Sequence, residues 1–282
     1  MSIAIFCVPA VGFAQADYKK LPLTGINISM RVLLQGAYQH NDGLMHNNLQ
    51  LQGLLPLSQP YTAAPFDYQG GESTTPERLA FAGQDAAVDW VLLELRHKDA
   101  PFALVAQRAA IVQRDGDVVE PADGAVVLNF PDIAAGDYRV GIRHRNHLGV
   151  LTASASSLSA DLTVVDFSNP QTAVVGEHAR FVSGGFSLLW AGDINQDQRI
   201  VANGAGNDRN ILLADILQEE GNPGFNLSYV QSGYQVGDLN LDGKAIYSGP
   251  ANDSSFLLSN ILLHSDNTSF ANNFIINNML SF

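Results

Sequence analysis

"GDINQDQRIVANGAGND" (residues 192–208) and "GDLNLDGKAIYSGPAND" (residues 237–253) are two copies of one pattern, displaced by 45 residues and aligned without a gap. Each sets Asp, Asn and Asp at alternate positions: Asp193, Asn195 and Asp197 in the first copy, Asp238, Asn240 and Asp242 in the second. Each closes on an Asn-Asp pair, Asn207-Asp208 and Asn252-Asp253. An apolar run of helical spacing follows both times, first Ile211, Leu212, Ile216 and Leu217, then Phe256, Leu257, Ile261 and Leu262. A loop followed by a helix is therefore predicted twice.

An EF-hand-type loop needs hard oxygen ligands at positions 1, 3 and 5, a backbone carbonyl at position 7 and a late carboxylate from the following helix. The alternating Asp, Asn and Asp supply the first three, and Arg199 and Lys244 stand where the carbonyl is needed. Position 12 holds Gly204 and Gly249 instead of an acid. We expect a loop lengthened by four residues, with Asp208 and Asp253 as closing ligands on the first helical turn, where the dipole favours a carboxylate. Gly192 and Gly237 precede the first ligands, so no entering helix is expected. The plainer alternative is a pair of Asx turns without metal, because Asp and Asn readily cap their own backbone; the matched closing pairs and helices favour two Ca²⁺ sites. Mg²⁺ suits such a cage less well, and Zn²⁺ lacks its His and Cys ligands. Carboxylates crowded in this way repel one another until a cation is bound, so the segment is expected to fold in calcium.

Residues 190–264 resemble the dockerin type of duplicated calcium loop, each copy followed by a single helix. The resemblance implies a small calcium-folded module, often carried at the end of secreted bacterial proteins and in some systems binding cohesin domains. The loops here are longer, and Gln198 stands where the tight turn prefers the glycine that Gly243 provides, so site one is expected to be the weaker.

The 282 residues are 46% hydrophobic, enough for one large domain or two modest ones with buried cores. A formal charge of −13 argues against a nucleic-acid partner and against an anionic membrane surface. Residues 1–16, MSIAIFCVPAVGFAQA, hold an apolar stretch too short to span a bilayer and end in Ala14-Gln15-Ala16, the small-x-small pattern of a signal peptide. A secreted or cell-surface location is expected, with a buried N-terminal strand as the alternative. Cys7, the single cysteine, would leave with that segment, so something other than disulfides must hold exposed loops, and bound metal is one candidate.

Ile26, Ile28, Met30, Val32 and Leu34 alternate with polar residues and predict a half-buried strand. Residues 39–84 read as a long loop with a short helix near 44–54. Strand patterns then recur around Val91–Leu95, on either side of the Asp115-Gly116 turn, at Val126–Phe130, Tyr138–Ile142 and in "ADLTVVDF". The fold class predicted is mainly β: an antiparallel Ig-like or jelly-roll β-sandwich over 17–168, a connector over 169–189, the dockerin-like module over 190–264 and an apolar, Asn-rich tail over 265–282. Gly136-Asp137-Tyr138 resembles the tyrosine entry of Ig-like sandwiches.

"RVGIRHRNHLGV" (139–150) gathers Arg139, Arg143, His144, Arg145 and His147 in an acidic chain. It resembles a stretch of exported bacterial proteins with dockerin-like ends, which implies no activity. Internal pairing with Asp115, Asp117 or Glu94 is favoured over glycan or partner binding, and His144 and His147, placed on a strand, would face opposite sides. Trp90 and Trp190 read as core residues before glycan platforms. Phe270, Phe274, Ile275, Ile276, Met279, Leu280 and Phe282 of the tail dock on their own domain or extend a neighbour's sheet. No G-x-S-x-G, H-E-x-x-H or P-loop occurs. The sequence thus points to a secreted, calcium-stabilised, non-enzymatic structural or surface protein that assembles into a homo-oligomer, fibres or a matrix. The alternatives are a module binding a cohesin-like protein or polysaccharide, and a hydrolase with an unrecognised site.

Overall fold

The computed structural model describes residues 24–278, so the predicted signal peptide and Met279, Leu280 and Phe282 of the tail lie outside the described residues. The chain is mainly β. It opens with β1 (Ile26–Arg31), a small hairpin of β2 (Tyr38–Gln39) and β3 (Leu44–Met45), and the short helices α1 (Asn48–Leu51) and α2 (Pro76–Leu79). Next come β4 (Ala87–His97), β5 (Leu104–Gln113), β6 (Asp117–Val119), β7 (Leu128–Phe130), β8 (Gly136–Arg143), β9 (Val150–Leu151), β10 (Ser156–Leu158) and β11 (Leu162–Asp166). With β1 these eight build a nine-stranded sheet of order β10-β8-β4-β5-β6-β1-β11, with β7 added to β1 and β9 to β8. Every pairing is antiparallel except β1 with β11, where Asn27 faces Leu162 and Arg31 faces Asp166 in parallel register.

The alternation read in β1 and β4 understates their burial. In β4 the residues from Ala87 to Arg96 are all buried, and in β1 Asn27 is as fully enclosed as Ile26 and Ile28. Central strands covered on both faces lose the polar outer row that a half-exposed strand carries. Part of the cover is the long segment 39–84, which puts Leu49, Leu55, Tyr61 and Phe66 into the core. The Tyr61 hydroxyl donates to the Trp90 carbonyl at 2.7 Å, and Trp90 Nε1 donates to the Pro56 carbonyl at 2.9 Å. Trp90 is therefore core, as expected, and its one polar atom is satisfied.

Residues 169–189, read as a connector, are part of this first core. Strands β12 (Phe181–Ser183) and β13 (Phe186–Leu188) form a hairpin, and Leu188 and Leu189 pack with Phe167 and β1. Arg180 holds the turn before it by donating to the carbonyls of Phe167, Asn169 and Thr172. The Pro- and Asn-containing composition marks bends, and the buried guanidinium converts those bends into fixed structure.

The core changes between Leu189 and Trp190. Leu189 belongs to the first cluster, while Trp190, Ala191 and Ile194 join a second one with Ile200, Leu212, Ile216, Leu239, Ala245, Leu257, Ile261 and Ile276. Here β14 (Arg199–Val201), α3 (Asp208–Gln218) and β15 (Val230–Ser232) make one repeat, and β16 (Lys244–Ile246), α4 (Asp253–Leu263) and β17 (Ile275–Asn277) make the other. The repeats exchange strands: β15 pairs with β16, and β17 returns to pair with β14, with registers related by the same 45-residue displacement. Of the described tail, Phe274 and β17 therefore dock on their own domain, while Phe270 stays exposed. The repeat also runs past residue 264, the bound suggested by loop and helix alone, because each helix is followed by a matched Asn turn and strand.

Candidate metal centre

In the first loop Asp193 Oδ2 accepts the Gln198 N–H at 3.1 Å, Asn195 Oδ1 accepts the Asp197 N–H at 3.1 Å and Asp197 Oδ1 accepts the Arg199 N–H at 2.9 Å. Asn207 caps α3 by accepting the Asn210 N–H. That cap sets Asp208 on the first turn, and its carboxylate reaches back into the loop: Oδ1 accepts the Ile194 and Asn195 N–H groups, and Oδ2 the Val201 N–H at 2.8 Å. The second loop repeats each contact. Asp238 Oδ2 accepts the Gly243 N–H at 2.8 Å, Asn240 Oδ1 that of Asp242, and Asp242 Oδ1 that of Lys244. Asp253, behind its cap Asn252, accepts the Leu239, Asn240 and Ile246 N–H groups.

Each loop thus draws its Asp and Asn side chains onto loop N–H groups, and Asp193 lies near enough to Asp208 and Asp197 to feel their charge. Arg199 and Lys244 open β14 and β16. No helix leads into either loop. Gln198 has a φ of 67° and Gly243 one of 88°, so the turn at position 6 is left-handed in both copies, as the glycine preference implied.

Burial is the main cause of the electrostatics. It pushes the Asp208, Asp238 and Asp253 carboxyls up to about 7, against the opposing charge of Arg145 on Asp238 and the pull of the N–H groups that all three accept. It drives Asp193 well above the ordinary carboxylate range, with Asp208 and Asp197 adding to the effect. Asp193 is 1% exposed, and its Oδ1 has no hydrogen-bond partner. A buried carboxylate oxygen with nothing to bond costs on the order of 1–3 kcal/mol, and a cation removes that cost. Among the described residues, no group of three or more His, Cys, Asp or Glu side chains is placed to hold a metal by itself. A cation here would have to draw on Asn195 or Asn240 and on backbone carbonyls as well as carboxylates. Such a mixed oxygen set fits Ca²⁺ and not Zn²⁺.

The basic cluster is internal, with partners that differ in part from those expected. Arg143 lies 3.7 Å from Glu94, as anticipated, but Arg145 and His144 both meet Asp89, at 3.0 and 3.1 Å, instead of Asp115 or Asp117. Burial works to raise Asp89, yet Arg145, His144 and the Tyr234 hydroxyl together hold it down to about 2. His144 and His147 do not face opposite sides: β8 ends at Arg143, the chain turns, and their Nδ1 atoms lie 3.0 Å apart. His147 Nε2 accepts the Gly36 N–H at 3.1 Å, so its proton sits on Nδ1; His144 then accepts on Nδ1 and donates from Nε2 to Asp89. In this relay His147 Nδ1 also lies 2.8 Å from Asn146 Oδ1, so all four ring nitrogens have protein partners.

The same segment clamps the second loop. Asn146 Nδ2 donates to the Val236 and Asp238 carbonyls at 2.8 and 2.7 Å, and Arg145 donates to that of Gln235. His46 meets the Asn240 carbonyl at 3.0 Å, and Gln52 Nε2 donates to that of Asp242 at 2.8 Å. Gly36 abuts the same loop so closely that an added Cβ would stand 1.9 Å from the Leu239 carbonyl oxygen. Trp190 is also core, donating from Nε1 to the His178 carbonyl at 3.0 Å. Sequence reasoning missed Asn146, Gln52 and the turns built on Asn222 and Asn267, which bond the carbonyls of Ile216 and Ile261 in parallel fashion. The signal for the last pair was an Asn-x-x-Phe at 222–225 and again at 267–270. No protein-family model matches the chain, nor does any curated protein or solved structure.

Proposed function

We propose that the chain is an exported, calcium-stabilised, non-enzymatic structural protein of the cell surface or matrix, in which an Ig-like or jelly-roll β-sandwich carries a dockerin-like pair of Ca²⁺ loops. The observation that carries this reading is the buried Asp193 Oδ1, left without a partner inside a carboxylate cluster that the chain builds twice. Asp193, Asn195, Asp197 and Asp208, with the Arg199 carbonyl, would hold one ion. Asp238, Asn240, Asp242 and Asp253, with the Lys244 carbonyl, would hold the other. The bound ion supplies positive charge that makes the crowding of three acids tolerable, so binding free energy becomes folding free energy. The Tyr138 hydroxyl, donating to the Ala134 carbonyl at 3.0 Å, supports the Ig-like reading. Because β17 pairs within the chain, assembly through a strand edge would use β10 or β11, the ends of the large sheet. Thermal melting of the protein in calcium and in EDTA tests the proposal: the midpoint rises with calcium concentration if the ion binds the folded state, and stays fixed if it does not.

A second reading, a module that plugs into a cohesin-like receptor, is favoured by Phe225 and Phe270. These rings occupy equivalent positions in the two repeats, both at left-handed φ, and are 69% and 67% exposed. Calcium-dependent capture of a purified cohesin domain, lost when both are changed to Ser, would establish it.

A further inference from the structure

We infer that Gln198 and Asn278 are positioning residues of the first Ca²⁺ site, a role resting on the calcium reading above. Gln198 occupies the position-6 turn in the left-handed region, where the second loop has Gly243. Sequence logic takes that as a defect. The side chain says otherwise: Gln198 Oε1 accepts the Gly149 N–H at 3.0 Å, which fixes the amide orientation and turns Nε2 towards Asp193 Oδ2 at 3.3 Å. The Gln198 backbone N–H binds that same Oδ2 at 3.1 Å. Both donors therefore fall on one oxygen and leave Oδ1 for the ion.

Asn278 completes the chain of contacts. It is fully buried, and its Nδ2 donates to Gln198 Oε1 at 3.0 Å and to the Gly149 carbonyl. It directly follows β17, the strand that the second repeat lends to β14. The first site is thus assembled from its own loop, the 149 turn of the sheet domain and the far end of the other repeat. In the second loop Gly243 offers only its N–H to Asp238, and the Asp242 N–H takes the other oxygen, so no counterpart of this arrangement exists there.

The test is calorimetric titration of the EDTA-stripped full chain with CaCl₂, comparing the unmodified protein with Gln198→Gly and Asn278→Ala. An Asp242→Ala background isolates the first site; if that background does not fold, two-site fits to the single variants serve instead. Losing a hydrogen bond to the liganding carboxylate should weaken the first site about tenfold or more for Gln198→Gly, although glycine relieves the left-handed backbone. The second site should keep its affinity. Melting in EDTA separates this from a merely structural role, since Gln198→Gly should leave the calcium-free midpoint unchanged or raised. Two-site binding in the unmodified chain, with Gln198→Gly binding the first ion equally or more tightly, overturns the inference alone. Failure of the unmodified chain to bind any calcium overturns both it and the reading on which it rests.

Discussion

Asp89 and the two histidines beside it show how much of the chain's polar sequence is internal machinery. A fully buried carboxylate survives because Arg145, His144, Tyr234 and the Trp90 N–H all serve it. His144 and His147 are held neutral, burial being the first cause for both, so their folded pKa values lie below the ordinary histidine value. The unfolded chain takes up these protons below about pH 6.5, and the stability they contribute is present above that pH and lost as the pH falls. In calcium-saturated protein, His147→Gln should therefore show a smaller drop in melting temperature between about pH 7 and about pH 5 than the unmodified chain, a glutamine oxygen still being able to accept the Gly36 N–H. An identical drop would contradict the relay. Sequence could display the Arg and His cluster but not its partners, since Asp89 and Tyr234 lie 55 and 145 positions from the residues they meet.

Strands and helices of the repeats were legible to different degrees. The helices follow from Leu212 and Ile216, or Leu257 and Ile261, four apart on one face, with an Asn cap in front of each. β14 to β17 are three residues each, too short for period-2 patterning to register, and their exchange between repeats is a non-local choice that no local pattern encodes. In β4 the strand itself was legible from Val91, Leu93 and Leu95, but its burial on both faces was not, because that depends on segments distant in the chain. The exchange makes a prediction. Ile276 of β17 is 1% exposed in the second core, facing Ile200 across the strand pair. Ile276→Ala should destabilise by about 2–5 kcal/mol and, measured by hydrogen exchange, should speed exchange in the first loop at 193–201 more than in the second at 238–246. Equal acceleration in both loops would count against strand exchange as the organising contact.

At the scale of the molecule, the sheet domain meets both loops, the first through Gln196 to the Arg145 carbonyl and Gln198 to the Gly149 N–H, and the second through a larger set of carbonyls. Side chains of the sheet domain take the carbonyls of Gln235, Val236, Asp238, Asn240 and Asp242, while the first loop leaves Asp197 exposed. An ion in the second loop would therefore stiffen a surface on which the sheet itself rests. Breaking the buried Asp89 hub with Asp89→Asn should cost about 3–5 kcal/mol and split unfolding into two transitions, the second-core transition alone responding to calcium. A single calcium-sensitive transition in that variant would show that the two cores are coupled elsewhere. The duplication was readable in the matched loops of the sequence. The docking was not, because it depends on main-chain carbonyls, which every residue carries alike.

The duplicated loops are argued to be cages for a hard divalent cation, and the stoichiometry of binding tests that most directly. Calorimetric titration of the EDTA-stripped protein with CaCl₂ should reveal two ions per chain, with none for a variant carrying both Asp193→Ala and Asp238→Ala. Heats no larger than those of dilution, in protein shown to be folded by circular dichroism, would mean that the twin acidic loops are turns that need no ion.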